Sequence, residues 1–193
     1  MKKIDFLMAG VGGQGTILAS NILAEVGLEL GYDVKKAEVH GMAQRGGTVE
    51  SHVRWGEKVY APMAELGDVD YLIGFEMLEA GRWPAWLRKD AVVVVNRYRI
   101  PPPTVNLGKA KYPKEEEIDS LLKNAASKVL WVNGTDAAKE VGNPATIGVV
   151  LLGALSTLLG GDENVWLSVV ERMVPPKFLE MNKNAFYAGR KLA

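Results

Sequence analysis

Apolar residues along this 193-residue chain follow two rhythms, short β-branched runs and longer stretches repeating near every fourth position, and the two alternate. Ile4 to Ala9 reads as a short buried strand. Gln14 to Leu30 reads as a helix, with Leu18, Ile22, Val26 and Leu30 at i, i+4 spacing and Gly31 as its stop. A second strand runs from Val34 to His40. Then Val49, Ser51, Val53 and Trp55 alternate with Glu50, His52 and Arg54, the period of two expected of a half-exposed strand or a sheet edge. Tyr71 to Glu76 and Ala91 to Asn96 are compact runs suited to a doubly covered parallel sheet.

Between those runs the chain is helix-like up to Pro84, and Pro101-Pro102-Pro103 forms a stiff extended connector. The stretch "KEEEIDSLLKNA" predicts a helix with a solvated acidic start, and "KVLWVNG" another strand. Helices follow over Ala145 to Leu159, Asn164 to Met173 and Lys177 to Leu192, broken by Gly160-Gly161 and Pro175-Pro176. Asn143 is placed to cap the first of them, with Pro144 at its first position. The pattern predicts one α/β domain, Rossmann-like and three-layered, with a mainly parallel sheet, an antiparallel or edge strand and a helical C-terminal cover over residues 1–193.

Composition narrows the function classes. The chain is long enough to bury about 70% of its unfolded surface in one domain. It carries 23 basic and 23 acidic residues, and reading the charges in order yields no basic cluster, so nucleic acid is not expected as a partner. It has no cysteine, which rules out disulfides, thiolate zinc sites, a cysteine nucleophile and cysteine-held iron–sulfur clusters in this chain. Asp5 and the glycine run interrupt the N-terminal apolar region that a signal peptide would need. The longest apolar stretch, Ala145 to Leu159, is shorter than the roughly 20 residues that span a bilayer. A cytoplasmic protein with no membrane association is expected.

Two stretches carry the candidate chemistry. Gly10-Val11-Gly12-Gly13-Gln14-Gly15 is a G-x-G-x-x-G between a strand and a helix that Thr16 helps to open. Such a turn leaves backbone N–H groups at the positive end of a helix, where anions bind. A dinucleotide site would also use an acid about 20 residues further on; Glu38 is near that spacing, but a second glycine-rich loop follows it at once. Nucleotide binding, binding of another phosphate or acyl carrier, and a purely structural turn all remain open for the loop alone. The second stretch, "HGMAQRGG", sets His40, Gln44 and Arg45 among Gly41, Gly46 and Gly47. It combines a proton-transfer group, an amide and a fork-shaped cation with backbone freedom. Glu76 and Asn96 end strands on the same side and add candidate polar groups, or cap the turns that follow.

The pairing of "GVGGQGTILAS" with "EVHGMAQRGGTVESHVRWG" resembles the gamma-type domain of the 2-oxoacid:ferredoxin oxidoreductases. Within that family, "NRYRIPPPTV", "NPATIGVVLLGAL" and "VPPKFLEMNKNAFYAGR" resemble the indolepyruvate branch. The resemblance implies a part in oxidative decarboxylation of a 2-oxoacid to an acyl-CoA, with coenzyme A as cosubstrate and electrons passed to ferredoxin. It implies that thiamine diphosphate, Mg²⁺ and the iron–sulfur clusters belong to a larger partner subunit, and that this chain alone binds none of them. The sequence agrees: it has no G-D-G with a downstream Asn to hold Mg²⁺, since Gly161-Asp162 runs on into Glu163-Asn164. On this view Gly10, Gly12, Gly13, Gln14, Gly15, Thr16, Gly46, Gly47, Glu76 and Asn96 line a coenzyme-docking edge. His40, Gln44 and Arg45 then shape the site at the subunit junction. A stand-alone NAD(P)- or nucleotide-binding enzyme and a non-catalytic assembly scaffold are the competing readings.

Overall fold

The computed structural model describes residues 2–41 and 46–193. In chain order its main elements are β1 (Ile4–Val11), α1 (Thr16–Glu29), β2 (Asp33–His40), β3 (Thr48–Gly56), β4 (Val69–Gly74), α2 (Met77–Ala80) and β5 (Leu87–Asn96). Then come α3 (Pro103–Asn106), α4 (Glu115–Ala125), β6 (Lys128–Val132), α5 (Gly134–Glu140), α6 (Ile147–Leu159), α7 (Glu163–Met173) and α8 (Leu179–Arg190). Six strands form one sheet in the order β2-β3-β1-β4-β5-β6. Strands β1, β4, β5 and β6 are parallel, while β3 runs antiparallel to both of its neighbours. This is the expected α/β architecture.

Side-chain alternation on β1 builds the layers. Phe6 and Met8 pack with α1, α6, α7 and α8 on one face, and Leu7 and Ala9 pack with Met77, Ile118 and Leu122 on the other. Both faces are dry, so the strands read as continuous apolar runs. The C-terminal cover depends on a close helix crossing. A Cβ on Gly189 of α8 would lie 1.8 Å from the Val150 carbonyl oxygen of α6, and one on Gly153 would lie 2.1 Å from the Phe186 oxygen. The two backbones touch because neither position carries a side chain.

Several local expectations need correction. Strand β3 is neither half-exposed nor an edge: it lies inside the sheet, its residues from Ser51 to Gly56 are buried, and β2 is the edge. His52 and Arg54 misled because they find partners within the protein. The Arg54 guanidinium holds Asp5 through two contacts, at 2.9 and 3.2 Å, and donates to the Ala61 and Met63 carbonyls at 3.0 and 2.8 Å. His52 is fully buried beside Trp86 and accepts from the Ala64 N–H. In α1 only Ile22 and Val26 of the expected stripe are buried; Leu18 and Leu30 are 36% and 40% exposed, and Ala19, Leu23 and Gly27 complete the inner face.

The helix expected up to Pro84 stops at Ala80, with Gly81 and Pro84 interrupting it. Strand β5 begins early, at Leu87, which pairs with Val69 after a register shift. The proline connector turns helical at Pro103, whose ring presets the first helical φ. Helix α5 was not anticipated. Asn143 does cap its turn, accepting from the Ala145 N–H at 2.9 Å.

Two stability measurements check this packing. Gly189→Ala is expected to cost about 3 kcal/mol or more in denaturant unfolding, because backbone lies where its methyl group must go. The His52 imidazole is pushed below its ordinary 6.5, first by burial and then by the Arg54 charge. A base whose pKa is depressed on folding contributes stability that is complete above its ordinary value and is lost as pH falls from there toward the depressed one. Between about pH 7.5 and 5.5 the wild-type chain is therefore expected to lose stability that His52→Gln does not.

Candidate functional site

The candidate site begins at the C-terminal end of β1, the edge at which open α/β sheets bind ligands. Gly10 allows a close approach there: a Cβ would stand 2.9 Å from the Phe75 Cβ and 3.0 Å from Gln14 Oε1. Gly13 and Gly15 take φ of 102° and 78°, in the left-handed region that favours glycine. Gly15 is the N-cap of α1 and supplies no side chain to its first turn. The N–H groups of Gly13, Gly15 and Thr16 consequently have no partner among the described residues. They sit at the positive end of a 14-residue helix.

The loop is closed by the Gln14 side chain. Its Oε1 accepts from the Val11 N–H at 2.8 Å, and its Nε2 donates to the Phe75 carbonyl at 3.0 Å. That carbonyl accepts a second bond, from Asn96 Nδ2 at 3.0 Å, and Asn96 in turn exchanges bonds with Thr135 at 2.9 and 3.1 Å. A single carbonyl after β4 thus joins the glycine loop, the end of β5 and the start of α5. From β1 the chain goes out to β2, returns through β3 and then crosses to β4 on the other side of β1, so the crevice between β1 and β4 is the topological switch point. Gln14 bridges that crevice.

The two motifs meet at this edge. The Gly12 N–H donates to the Gly47 carbonyl at 2.9 Å, and Gly46 takes φ 77°. Gly12, Gly13, Gly15, Thr16, Ile17, His40 and Val49 line a cleft of about 310 Å³. Thr16, only 3% exposed, turns its methyl toward Gly10 and lines the cleft. The His40 side chain is half-exposed, its Nε2 3.7 Å from a Glu38 oxygen. Glu38 is also held by the Lys36 ammonium, which Asn21 shares. The acid at dinucleotide spacing is therefore occupied within its own strand. Gln44 and Arg45 lie outside the described residues.

Glu76 and Asn96 stand away from the cleft, both buried. Asn96 does the work described above. Glu76 Oε2 accepts from the Glu79 N–H at 2.9 Å and caps α2, while Oε1 accepts from the Ile100 N–H at 2.9 Å and from the Tyr112 hydroxyl. Burial, and then the hydrogen bond to Glu76, push the Tyr112 phenol above its ordinary 10. Phe75, Tyr112, Ile17 and Val49 were not singled out in the sequence. Phe75 acts through its backbone and Tyr112 sits in a loop-like "KAKYPK", so neither carried a signal; Ile17 and Val49 could have been found as apolar residues flanking the two glycine motifs.

On the other side of the glycine loop a second cleft, of about 370 Å³, is lined by Gly12, Gly13, Gln14, Tyr98, Ile100, Thr135, Pro144, Ala145 and Ile147. Its walls are largely apolar, and it adjoins the segment that Glu76 holds.

Comparison with known proteins places these features in a wider set. The family model described as pyruvate ferredoxin/flavodoxin oxidoreductase matches residues 5–192. Proteins named indolepyruvate oxidoreductase subunit IorB from Thermococcus kodakarensis and Pyrococcus horikoshii are 39% and 40% identical, over 100% of this chain and 97% of each relative. The crystal structure of a keto/oxoacid ferredoxin oxidoreductase gamma subunit from Geobacter sulfurreducens is 25% identical, with a TM-score of 0.72 over 98% of both chains.

Glu76→Ala removes the acceptor of three donors at once, each worth about 1 kcal/mol or more. The 97–112 segment is expected to loosen, and trypsin to cut at Arg97, Arg99, Lys109 and Lys111 well before it attacks the sheet. Wild-type-like resistance would show that the segment is held by other contacts.

Proposed function

The chain belongs to the pyruvate ferredoxin/flavodoxin oxidoreductase family, and on that premise we propose that it is the small subunit of an indolepyruvate:ferredoxin oxidoreductase. The observation that carries the branch is the end-to-end match to relatives bearing that name. The enzyme oxidatively decarboxylates indolepyruvate or a related aryl pyruvate to its acyl-CoA and passes the electrons to ferredoxin. Thiamine diphosphate with Mg²⁺ would supply an electron sink for the decarboxylation, and both it and the iron–sulfur clusters would be held by a larger, cysteine-bearing partner. With no cysteine in its sequence, this chain has no thiolate for a cluster.

This chain contributes a docking edge. The N–H groups at the α1 N-terminus that have no partner among the described residues suit an anionic group of coenzyme A, beside the Ile17 and Val49 walls. His40, Gln44 and Arg45 shape the junction where this edge meets the partner. Among the described residues no helix is long and apolar enough to cross a membrane, which is consistent with a cytoplasmic complex. The stand-alone dinucleotide reading is disfavoured by Gln14, which bridges the crevice that cofactor would need, and by the internal pairing of Glu38.

The test is reconstitution. The lone chain given indolepyruvate, thiamine diphosphate, Mg²⁺ and coenzyme A is expected to reduce no viologen dye, and activity is expected only with the large subunit. Arg45→Ala should leave the melting temperature of the lone chain nearly unchanged yet lower turnover or assembly of the complex about 10²-fold, and Arg45→Lys should restore little. Turnover by the lone chain, or unchanged kinetics and assembly in Arg45→Ala, would contradict the proposal.

A further inference from the structure

The sequence in order suggests no basic cluster, yet residues 97–114 contain Arg97, Arg99, Lys109, Lys111 and Lys114 and no acid at all. The structure gathers this segment into one lobe after β5. Glu76 anchors it through the Ile100 N–H and Tyr112, and the Lys109 N–H donates to the Thr104 carbonyl. Arg97 is neutralised by Glu115 at 3.0 Å. Arg99 lies over the Tyr112 ring at 5.5 Å, and neither it nor Lys109 or Lys111 has an acidic partner among the described residues; Lys114 instead sits against Glu117, which accepts from its N–H at 2.7 Å. Arg99, Lys109 and Lys111 are exposed. A chain of zero net charge that concentrates three uncompensated cations on one anchored lobe has built a local positive field.

The lobe also carries exposed apolar surface, with Leu107 69% and Tyr98 39% exposed. Tyr98 and Ile100 form the wall of the second cleft, whose opposite side is Pro144, Ala145 and Ile147. A positive rim beside an apolar slot fits one kind of occupant, a protein segment bearing acidic residues around an apolar anchor. The slot shares Gly12 and Gly13 with the coenzyme-side cleft, so the two clefts adjoin across the glycine loop.

We propose that the 97–114 lobe and the Tyr98–Ile147 cleft are a docking surface for an acidic, apolar-anchored segment of the large subunit. The inference rests on the subunit reading and adds where and by what chemistry the two chains lock. Cations steer the approach and set the register, and the filled slot supplies the dry contact that slows dissociation.

The experiment measures affinity between the lone chain and the purified large subunit as a function of salt. The combined variant Arg99→Glu, Lys109→Glu, Lys111→Glu is expected to weaken binding about 30-fold at low ionic strength, a loss that shrinks as salt screens it. Ala145→Trp, which fills the slot without changing charge, is expected to weaken binding about tenfold or more at every salt concentration. Thermal melting of each variant checks its fold. If the triple variant does not fold, Lys109→Glu with Lys111→Glu replaces it, with about a tenfold loss expected. Wild-type affinity in a folded charge variant or in Ala145→Trp overturns the docking surface while the subunit reading stands. Failure of the wild-type chain to bind the large subunit overturns both. Tight binding of the lone chain to duplex DNA, lost in the charge variant, would assign the lobe to nucleic acid and overturn the proposal.

Discussion

The Phe75 carbonyl, just past the end of β4, carries the whole edge of this protein. One lone pair takes the Gln14 amide and the other takes the Asn96 amide, so the glycine loop and the β5 end have their positions fixed by the same atom. Its neighbour Glu76 repeats the arrangement for the 97–112 segment through Ile100 and Tyr112. Buried acceptors of this kind are costly to leave unpaired. The Gly10 contact adds a steric condition, because the strand must approach Phe75 without a side chain for Gln14 to reach across.

This anchoring divides the sheet edge. On the β3 side the loop leaves the Gly13, Gly15 and Thr16 N–H groups without a partner among the described residues and forms a cleft with His40. On the β5 side it backs a largely apolar slot beside a positive lobe. Between them, where a self-sufficient dinucleotide enzyme would place its cofactor, the chain puts its own Gln14. A Rossmann-like sheet modified in this way presents preformed surfaces at this edge, as suits a subunit that works with a larger oxidoreductase chain.

The alternation of apolar runs gave away most of the strands and the helical cover, because each depends on local periodicity; it could not place the segment from Val49 to Trp55, which lies inside the sheet and not at its edge. The site motifs were legible because glycine spacing is a backbone requirement written directly in residue type. Other features were hidden. His52 and Arg54 looked solvent-facing because their partners, among them Asp5, Ala61, Met63 and the Ala64 N–H, come from elsewhere in the chain. Glu76 and Asn96 were noticed as strand ends that add to the rim or cap the following turns, and Glu76 does cap α2, but no periodicity could reveal their bonds to Ile100, Tyr112, Phe75 and Thr135. The basic lobe was overlooked because a balanced total charge conceals a window without acids, and because Tyr112, which folds the lobe back onto Glu76, lies 36 residues from it.

The central claim is that the C-terminal edge of the sheet, from the glycine loop to the Tyr98 lobe, is the face covered in the assembled enzyme. Hydrogen exchange of the lone chain compared with the same chain bound to the large subunit reads this edge residue by residue. The account predicts strong new protection at the amides of Gly13 to Ile17 and from Arg97 to Lys111, with little change at the opposite edge around Lys58 to Leu66. Protection confined to that opposite edge, with the glycine loop exchanging as fast as in the lone chain, would contradict it.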